Sequence, residues 1–227
     1  MICLGIDTSG ETLSVGLSSE GEILGDRIYR GERFHSEMII GEIDALLRDK
    51  GIGFKEVSLI AASAGPGRYT ALRVGMATAK GLALARGIPL VRISALEALA
   101  YGLLPCEGPV CTLLDARRRL VYYARFDAVG EQMQRVEEDQ ALSYQSASDA
   151  IPGGALLTGD GIHLIQPFLE ENGVTFFTRH SMIHGGNVAK LGEAAFYKTR
   201  RDELYEGPTY IREAEIHNKV PMTTPNR

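Results

Sequence analysis

Ala64-Gly65-Pro66-Gly67-Arg68-Tyr69-Thr70-Ala71-Leu72-Arg73-Val74-Gly75 is the stretch on which the reading of the fold turns. An apolar strand, Leu59 to Ala64, enters a glycine-rich turn that becomes a helix almost at once. Gly65 and Gly67 can take backbone conformations closed to other residues, Pro66 fixes one backbone angle, and Thr70 is a candidate cap for the helix. The helix runs to Arg86, and Pro89 to Ile93 reads as another strand. Strand, helix, strand in this order is the pattern of a parallel crossover. Amides at such a helix start point outward without partners, so the corner either cradles a phosphate or packs tightly against a neighbour.

Working outward, Ile2–Ile6, Thr12–Ser18 and Glu22–Tyr29 read as a three-stranded meander with turns at Asp7-Thr8-Ser9-Gly10 and Ser19-Glu20-Gly21. Ser36 to Lys50 carries Met38, Ile39, Ile43, Leu46 and Leu47 at helical spacing, and Gly51 stops it. Ser94 with Glu97 has the spacing of a capping box and starts a short helix through Tyr101. After a linker at Gly102–Gly108, strands at Val110–Asp115, Leu120–Asp127 and Glu131–Val136 begin a second lobe as the first began, with a meander. Weaker signals follow: strands at Ala155–Thr158 and Val174–Phe177, helices at Ile162–Glu171 and Gly186–Tyr197, and an extended Pro208-Thr209-Tyr210-Ile211-Arg212. These boundaries divide the chain into a first lobe, 1–103, a smaller second lobe, 104–212, and a polar tail, 213–227. The shared element order makes a duplicated α/β fold plausible.

The composition excludes several function classes. A chain of 227 residues with 44% hydrophobic and 23% charged residues has the makings of an ordinary globular core. A net charge of −5 argues against a protein that grips nucleic acid by itself, since phosphate contacts need concentrated Lys and Arg. Cys3, Cys106 and Cys111 are too few for a disulfide framework and read as reduced thiols. With no basic start and no apolar run long enough for a signal or a membrane span, the chain is expected in the cytoplasm.

Gly5-Ile6-Asp7-Thr8-Ser9, His35, the Gly65–Gly75 run, Ala79-Lys80-Gly81-Leu82-Ala83, Asp115-Ala116-Arg117 and Pro208–Arg212 together resemble the TsaB (YeaZ) family. The resemblance covers Ile2 to Arg212 and departs from the family pattern at Arg68, Tyr69 and Ala71, where Ser, Phe and Gly are usual. It implies a two-lobed fold of the actin and sugar-kinase superfamily, with a mixed sheet and flanking helices in each lobe and a reduced second lobe. It also implies a noncatalytic subunit that binds the catalytic TsaD and the ATPase TsaE in making threonylcarbamoyladenosine beside the anticodon of tRNAs. TsaD holds metal through two histidines four apart after its Pro-Leu strand. The matching places here are Ala95 and Leu99, which cannot ligate.

Asp7, Thr8 and Ser9, with Gly65 and Gly67, form a candidate vestigial nucleotide loop; structural turns are the plainer reading. Gly159-Asp160-Gly161 and Gly185-Gly186 are the only candidates for an adenine-binding loop. His180 and His184 are four apart without a helix signal and read as loop residues. Asp115 and Arg117 read as a salt bridge bracing a turn, and Arg117–Arg119 as an exposed basic cluster that could meet RNA inside a complex. Ala71, Gly75, Ala79 and Ala83 recur every four residues and leave a smooth stripe for a close helix neighbour. That stripe serves internal packing or an interface. The resemblance favours an interface, with Met38, Ile39, Glu42, Ile43 and Leu46 on one helix and Ala71, Gly75, Met76, Ala79 and Ala83 on the other. No catalytic residue, resident cofactor or metal is expected. ATP or ADP and metal would come through partner subunits, tRNA would be met indirectly, and a homodimer is expected when the chain is alone. The rival is an ATP-dependent phosphotransferase with Asp7 on magnesium.

Overall fold

The computed structural model describes residues 1–30, 35–179 and 182–211, with only the backbone of His35. The first lobe comprises β1 (Ile2–Asp7), β2 (Thr12–Ser19), β3 (Glu22–Arg30), α1 (His35–Lys50), β4 (Val57–Gly65), α2 (Tyr69–Arg86), β5 (Leu90–Ser94) and α3 (Ala95–Tyr101). The chain continues through β6 (Gly108–Asp115), β7 (Leu120–Val129), β8 (Gln132–Ser143), α4 (Tyr144–Ala150), β9 (Ala155–Thr158), α5 (Ile162–Glu171), β10 (Phe176–Thr178) and α6 (Gly185–Thr199). The sheets have strand orders β3-β2-β1-β4-β5 and β10-β9-β6-β7-β8. Read from the meander edge, the second order repeats the first strand for strand. In each sheet the meander is antiparallel and the two crossover strands are parallel.

Hydrophobic pattern explains the layers. The inner strands β1 and β4 are buried on both faces, as a sheet covered on two sides requires. Ile39, Ile43, Leu46, Met76, Ala79 and Ala83 pack beneath Leu4, Ile6 and Val15 on one face. Val188, Ala189 and Leu99 pack with Cys3, Leu59 and Ala61 on the other. α2 ends at Gly87, whose φ of 63° is the left-handed C-cap and whose amide donates to the carbonyls of Ala83 and Leu84.

Several elements differ from the sequence expectation. Thr70 lies inside α2; Arg68 is the N-cap and makes no side-chain capping bond. β8 continues past Val136 to Ser143, and β10 begins at Phe176. α4 was not foreseen, because seven residues are too short to show a period; its signal is the Ser143 side chain accepting from the Ser146 amide at 3.1 Å. α6 packs across β1, β2, β3 and β4 of the first sheet, and α3 reaches β6, β7 and β8 of the second, so the last helix of each half lies against the other half. α6, from the second half of the chain, therefore covers the first sheet. After α6 the chain stays on the first lobe: Glu203 N donates to Leu90 O at 2.8 Å and Thr209 N to Ala64 O at 2.7 Å. The expected tail, 213–227, and Arg212 lie outside the described residues.

The passage of α6 over the first sheet depends on absent side chains. Gly16, Gly5 and Ala61 stand in register across β2, β1 and β4. Gly185 and Gly186, Ala189 and Gly192 of the helix sit over them in turn, so close that a Cβ on Gly16 would lie 1.9 Å from Gly186 N and one on Gly5 2.0 Å from Gly185 O.

Candidate functional site

α1 and α2 cover one face of the first sheet, and their burial separates two surfaces. Ile39, Ile43, Leu46, Met76, Ala79 and Ala83 are each no more than 4% exposed. Gly75 is buried against Thr8, whose Oγ1 would be 2.2 Å from an added Cβ, and the same hydroxyl donates to Ala71 O at 2.7 Å. Met38 packs on the same core, while Glu42 holds Arg27 of β3 at 2.7 Å. The smooth stripe Ala71, Gly75, Ala79, Ala83 thus faces the chain's own sheet and the Thr8 loop. Spacing alone does not say which side of the helix meets the sheet.

The opposite surface of the pair is open. Ile40 is 53% and Leu84 60% exposed, beside exposed Gly41, Ala77, Gly81 and Ala85. Gly41 and Gly81 have nothing within 4 Å of an added Cβ. An exposed glycine inside a helix costs about 1 kcal/mol against alanine, so nothing in the isolated fold requires either. Gly81→Ala is expected to stabilise the chain by about 0.5–1 kcal/mol, read as a higher midpoint in urea.

Between the lobes lies a cleft lined by Asp7, Ser9, Arg30, Arg68, Asp115, Arg117 and Asp160 over an apolar floor of Leu99, Leu114 and Ile183. Its two hairpins, Asp7–Thr12 and Asp115–Leu120, occupy equivalent places in the repeated sheets. Asp7 is buried, and its Oδ1 accepts from Ser9 Oγ at 2.8 Å and Ser9 N at 3.3 Å. Gly67 lies against the Ser9 backbone, 2.4 Å from its carbonyl oxygen for an added Cβ, and Arg68 N donates to that carbonyl at 2.8 Å. Gly65, at φ 118°, is covered by Thr209. One outward amide of the α2 start is thus taken by the Asp7 loop, and the glycines serve a packed corner. Gly159, at φ 113°, would put a Cβ 1.9 Å from Leu113 O, and Gly161 N donates to that same oxygen at 3.0 Å. Both glycines are needed by the strand beside them.

On the opposite hairpin, Arg117 Nη1 pairs with Asp115 Oδ2 at 3.0 Å, as its spacing suggested, and Asp160 Oδ1 accepts from Asp115 N at 2.9 Å. Arg117, Arg118 and Arg119 all have positive φ, near 60°. Ala95 is fully buried and Leu99 is part of the cleft floor. Among the described residues no group of three His, Cys, Asp or Glu is placed to hold a metal ion.

His184 stands at the start of α6; His180, the other histidine of the expected loop pair, lies outside the described residues. Its Nδ1 is hydrogen-bonded to Asp26 Oδ2. Asp26 Oδ1 accepts from Gly186 N at 3.1 Å, and Ser14 Oγ accepts from Gly185 N at 2.7 Å. The Gly185-Gly186 amides therefore bind protein oxygens. The hydrogen bond to Asp26 raises the His184 pKa. A raised histidine pKa stabilises the fold fully below about 6.5 and the contribution fades as pH rises through the folded value. Wild type is accordingly expected to gain stability on acidification from pH 8 to 6 relative to His184→Gln, which lacks the titration; urea midpoints at both pH values measure the difference.

Burial raises the thiol pKa of Cys3, and of Cys111 to about 12, which keeps both thiols protonated. No helix among the described residues is long and apolar enough to cross a membrane.

The chain is similar to known proteins over most of its length. The family model for TsaD, tRNA N6-adenosine threonylcarbamoyltransferase, matches residues 23–196. The tRNA threonylcarbamoyladenosine biosynthesis protein TsaB of Bacillus subtilis is 27% identical, covering 97% of this chain and 93% of that protein. Its namesake in Haemophilus influenzae is 31% identical, covering 74% of this chain and 76% of its own length. The structure of YeaZ from Pseudomonas aeruginosa superposes with a TM-score of 0.80 at 24% identity, covering 92% of this chain and 99% of that one, which shows the same fold. With its repeated sheets and these relatives, the chain belongs to the TsaB (YeaZ) family of tRNA threonylcarbamoyladenosine biosynthesis proteins.

Proposed function

We propose that this chain is the noncatalytic partner subunit of a TsaD-like threonylcarbamoyltransferase, docking through the outward surface of α1 and α2. The observation that carries this reading is the open surface around Ile40, Gly41, Ala77, Gly81 and Leu84, where two helix-interior glycines the fold does not need leave room for a close neighbour. This reading keeps α1 and α2 as the partner-binding helices and takes the contacting positions from their outward surface. Met38, Ile39, Glu42, Ile43, Leu46, Ala71, Gly75, Met76, Ala79 and Ala83 shape the helices from behind.

The cleft supports the same assignment, because the glycine turns considered for a nucleotide are packed against Ser9, Thr209 and Leu113. In this reading the chain has no resident cofactor. ATP or ADP and metal reach the assembly through the catalytic subunit and a TsaE-like ATPase, tRNA is met only within the complex, and the site of action is the cytoplasm. A homodimer formed through the same face competes with the partner. Mass measurement of the chain alone, and mixed with the TsaD-like protein of the same organism, tests the proposal. A mixed species that grows at the expense of the homodimer supports it. Absence of any mixed species, or tight ATP and magnesium binding by the chain alone in calorimetry, refutes it and favours a phosphotransferase.

A further inference from the structure

Where α2 begins, three planar side chains form a stack on the surface. Tyr69 and Tyr210 are 37% and 40% exposed, with ring centroids 4.8 Å apart and planes tilted by 32°. Arg73, one helical turn beyond Tyr69, lies over the Tyr69 ring at 4.0 Å. Its Nε donates to Tyr210 Oη at 3.2 Å, and its Nη2 donates to Tyr69 Oη. The guanidinium is thus held in one plane by two phenols while staying exposed, and among the described residues no carboxylate pairs with it. A guanidinium has further N–H donors on Nη1, and these remain available.

A merely structural clasp is not required at this place. The segment that brings Tyr210 here is already fastened by Thr209 N on Ala64 O at 2.7 Å, by Arg92 Nη1 on Gly207 O at 2.8 Å, and by the Arg92 amide on Glu203 Oε2 at 2.8 Å. Arginine ordinarily loses much side-chain freedom on forming a contact; here the stack has ordered it beforehand. Arg73 also opens the exposed row Arg73, Ala77, Gly81, which continues into the surface assigned above to the partner.

We infer that Arg73, locked between Tyr69 and Tyr210, is a preorganised anchor that receives a carboxylate from the protein covering the α1–α2 face. This inference rests on the docking surface proposed above and adds the chemistry of one contact within it. A planar fork matches a carboxylate with two parallel hydrogen bonds, which a lysine ammonium cannot reproduce. Tyrosine and arginine are also the residues that most often dominate protein interfaces. The C-terminal segment belongs to the recognition surface through Tyr210, although it enters the chain more than a hundred residues after α2.

Calorimetric titration of the full chain with the TsaD-like protein of the same organism, at low and high salt, tests this with Arg73→Gln, Arg73→Lys and Tyr210→Phe. Arg73→Gln is expected to weaken binding at least tenfold, with the deficit shrinking at high salt as screening removes the wild-type advantage. Arg73→Lys restores charge but not the fork and falls between the two, which also covers any loss of folding in the glutamine variant. Tyr210→Phe keeps the ring stack, removes one oxygen that orients the guanidinium, and weakens binding less. Wild-type binding with Arg73→Gln and Arg73→Lys within twofold of it overturns the anchor and leaves the docking surface standing. No binding by wild type overturns both. Unchanged protein binding with reduced tRNA retention by the complex overturns the carboxylate assignment, because the guanidinium then serves RNA.

Discussion

Gly16→Ala is expected to cost about 3 kcal/mol or more, a fall of roughly 6–12 °C in melting temperature for a chain of this size. The methyl group would lie 1.9 Å from Gly186 N and 2.3 Å from Gly185 C. Both are backbone atoms of the α6 start, so no side chain can swing aside to make room. Relief requires α6 to lift from β2, which breaks the bonds of Gly185 N to Ser14 and Gly186 N to Asp26 and opens the apolar layer beneath Val188 and Ala189. Gly10→Ala, in open space one turn away from the same sheet, is expected to stay within about 0.5 kcal/mol of wild type. Calorimetric melting of the two variants side by side distinguishes a specific close approach from a general sensitivity of glycine. Equal melting temperatures would mean that α6 does not lie on the Gly16–Gly5–Ala61 row.

The second large effect concerns association. Leu84→Asp is expected to weaken binding of the TsaD-like partner by about 30-fold or more, the ~2 kcal/mol typical of a dominant interface residue. Leu84 is 60% exposed, so the melting temperature of the free chain should move little. Gly81→Arg should do the same by bulk. Both variants should also shift any homodimer toward monomer in sedimentation. The contrast with the buried stripe matters: Ala79→Leu pushes a larger side chain into a fully buried position, so it would unfold the chain and appear as lost binding for a reason unrelated to docking. Binding unchanged in Leu84→Asp and Gly81→Arg would place the partner elsewhere.

How far the sequence could be read differs from element to element. The first lobe was legible because its signals are local: alternation of Leu13, Val15 and Leu17 with small or polar residues in β2, the 3.6-residue period of α1, and a strand that becomes α2 through glycines. Ser94 could be recognised as a cap for the same reason, and its side chain does accept from Glu97 N at 3.2 Å. The partner-binding candidates were harder. Small residues every four positions identify a helix face that something approaches closely, but the chain's own sheet and another protein demand the same smoothness. The structure gives that face to Thr8 and the core. The close approach that no reading anticipated is that of α6, although Gly185, Ala189 and Gly192 show a comparable spacing and Gly5 and Gly16 sit in strands, where glycine often marks a nearby backbone.

Sequence alone determined the lobe order, the repeated meander and crossover, and the family, because each depends on short-range periodicity or on motifs in their order along the chain. Only the tertiary structure decided which helix faces are spent on the core, that α3 and α6 lie against each other's lobes, that the glycine turns are filled by Ser9, Thr209 and Leu113, and that Tyr210 meets Tyr69 and Arg73. The physical reason is common to all of these. They are contacts between segments far apart in the chain, and a residue type states what it could pack against without saying which distant segment will arrive there.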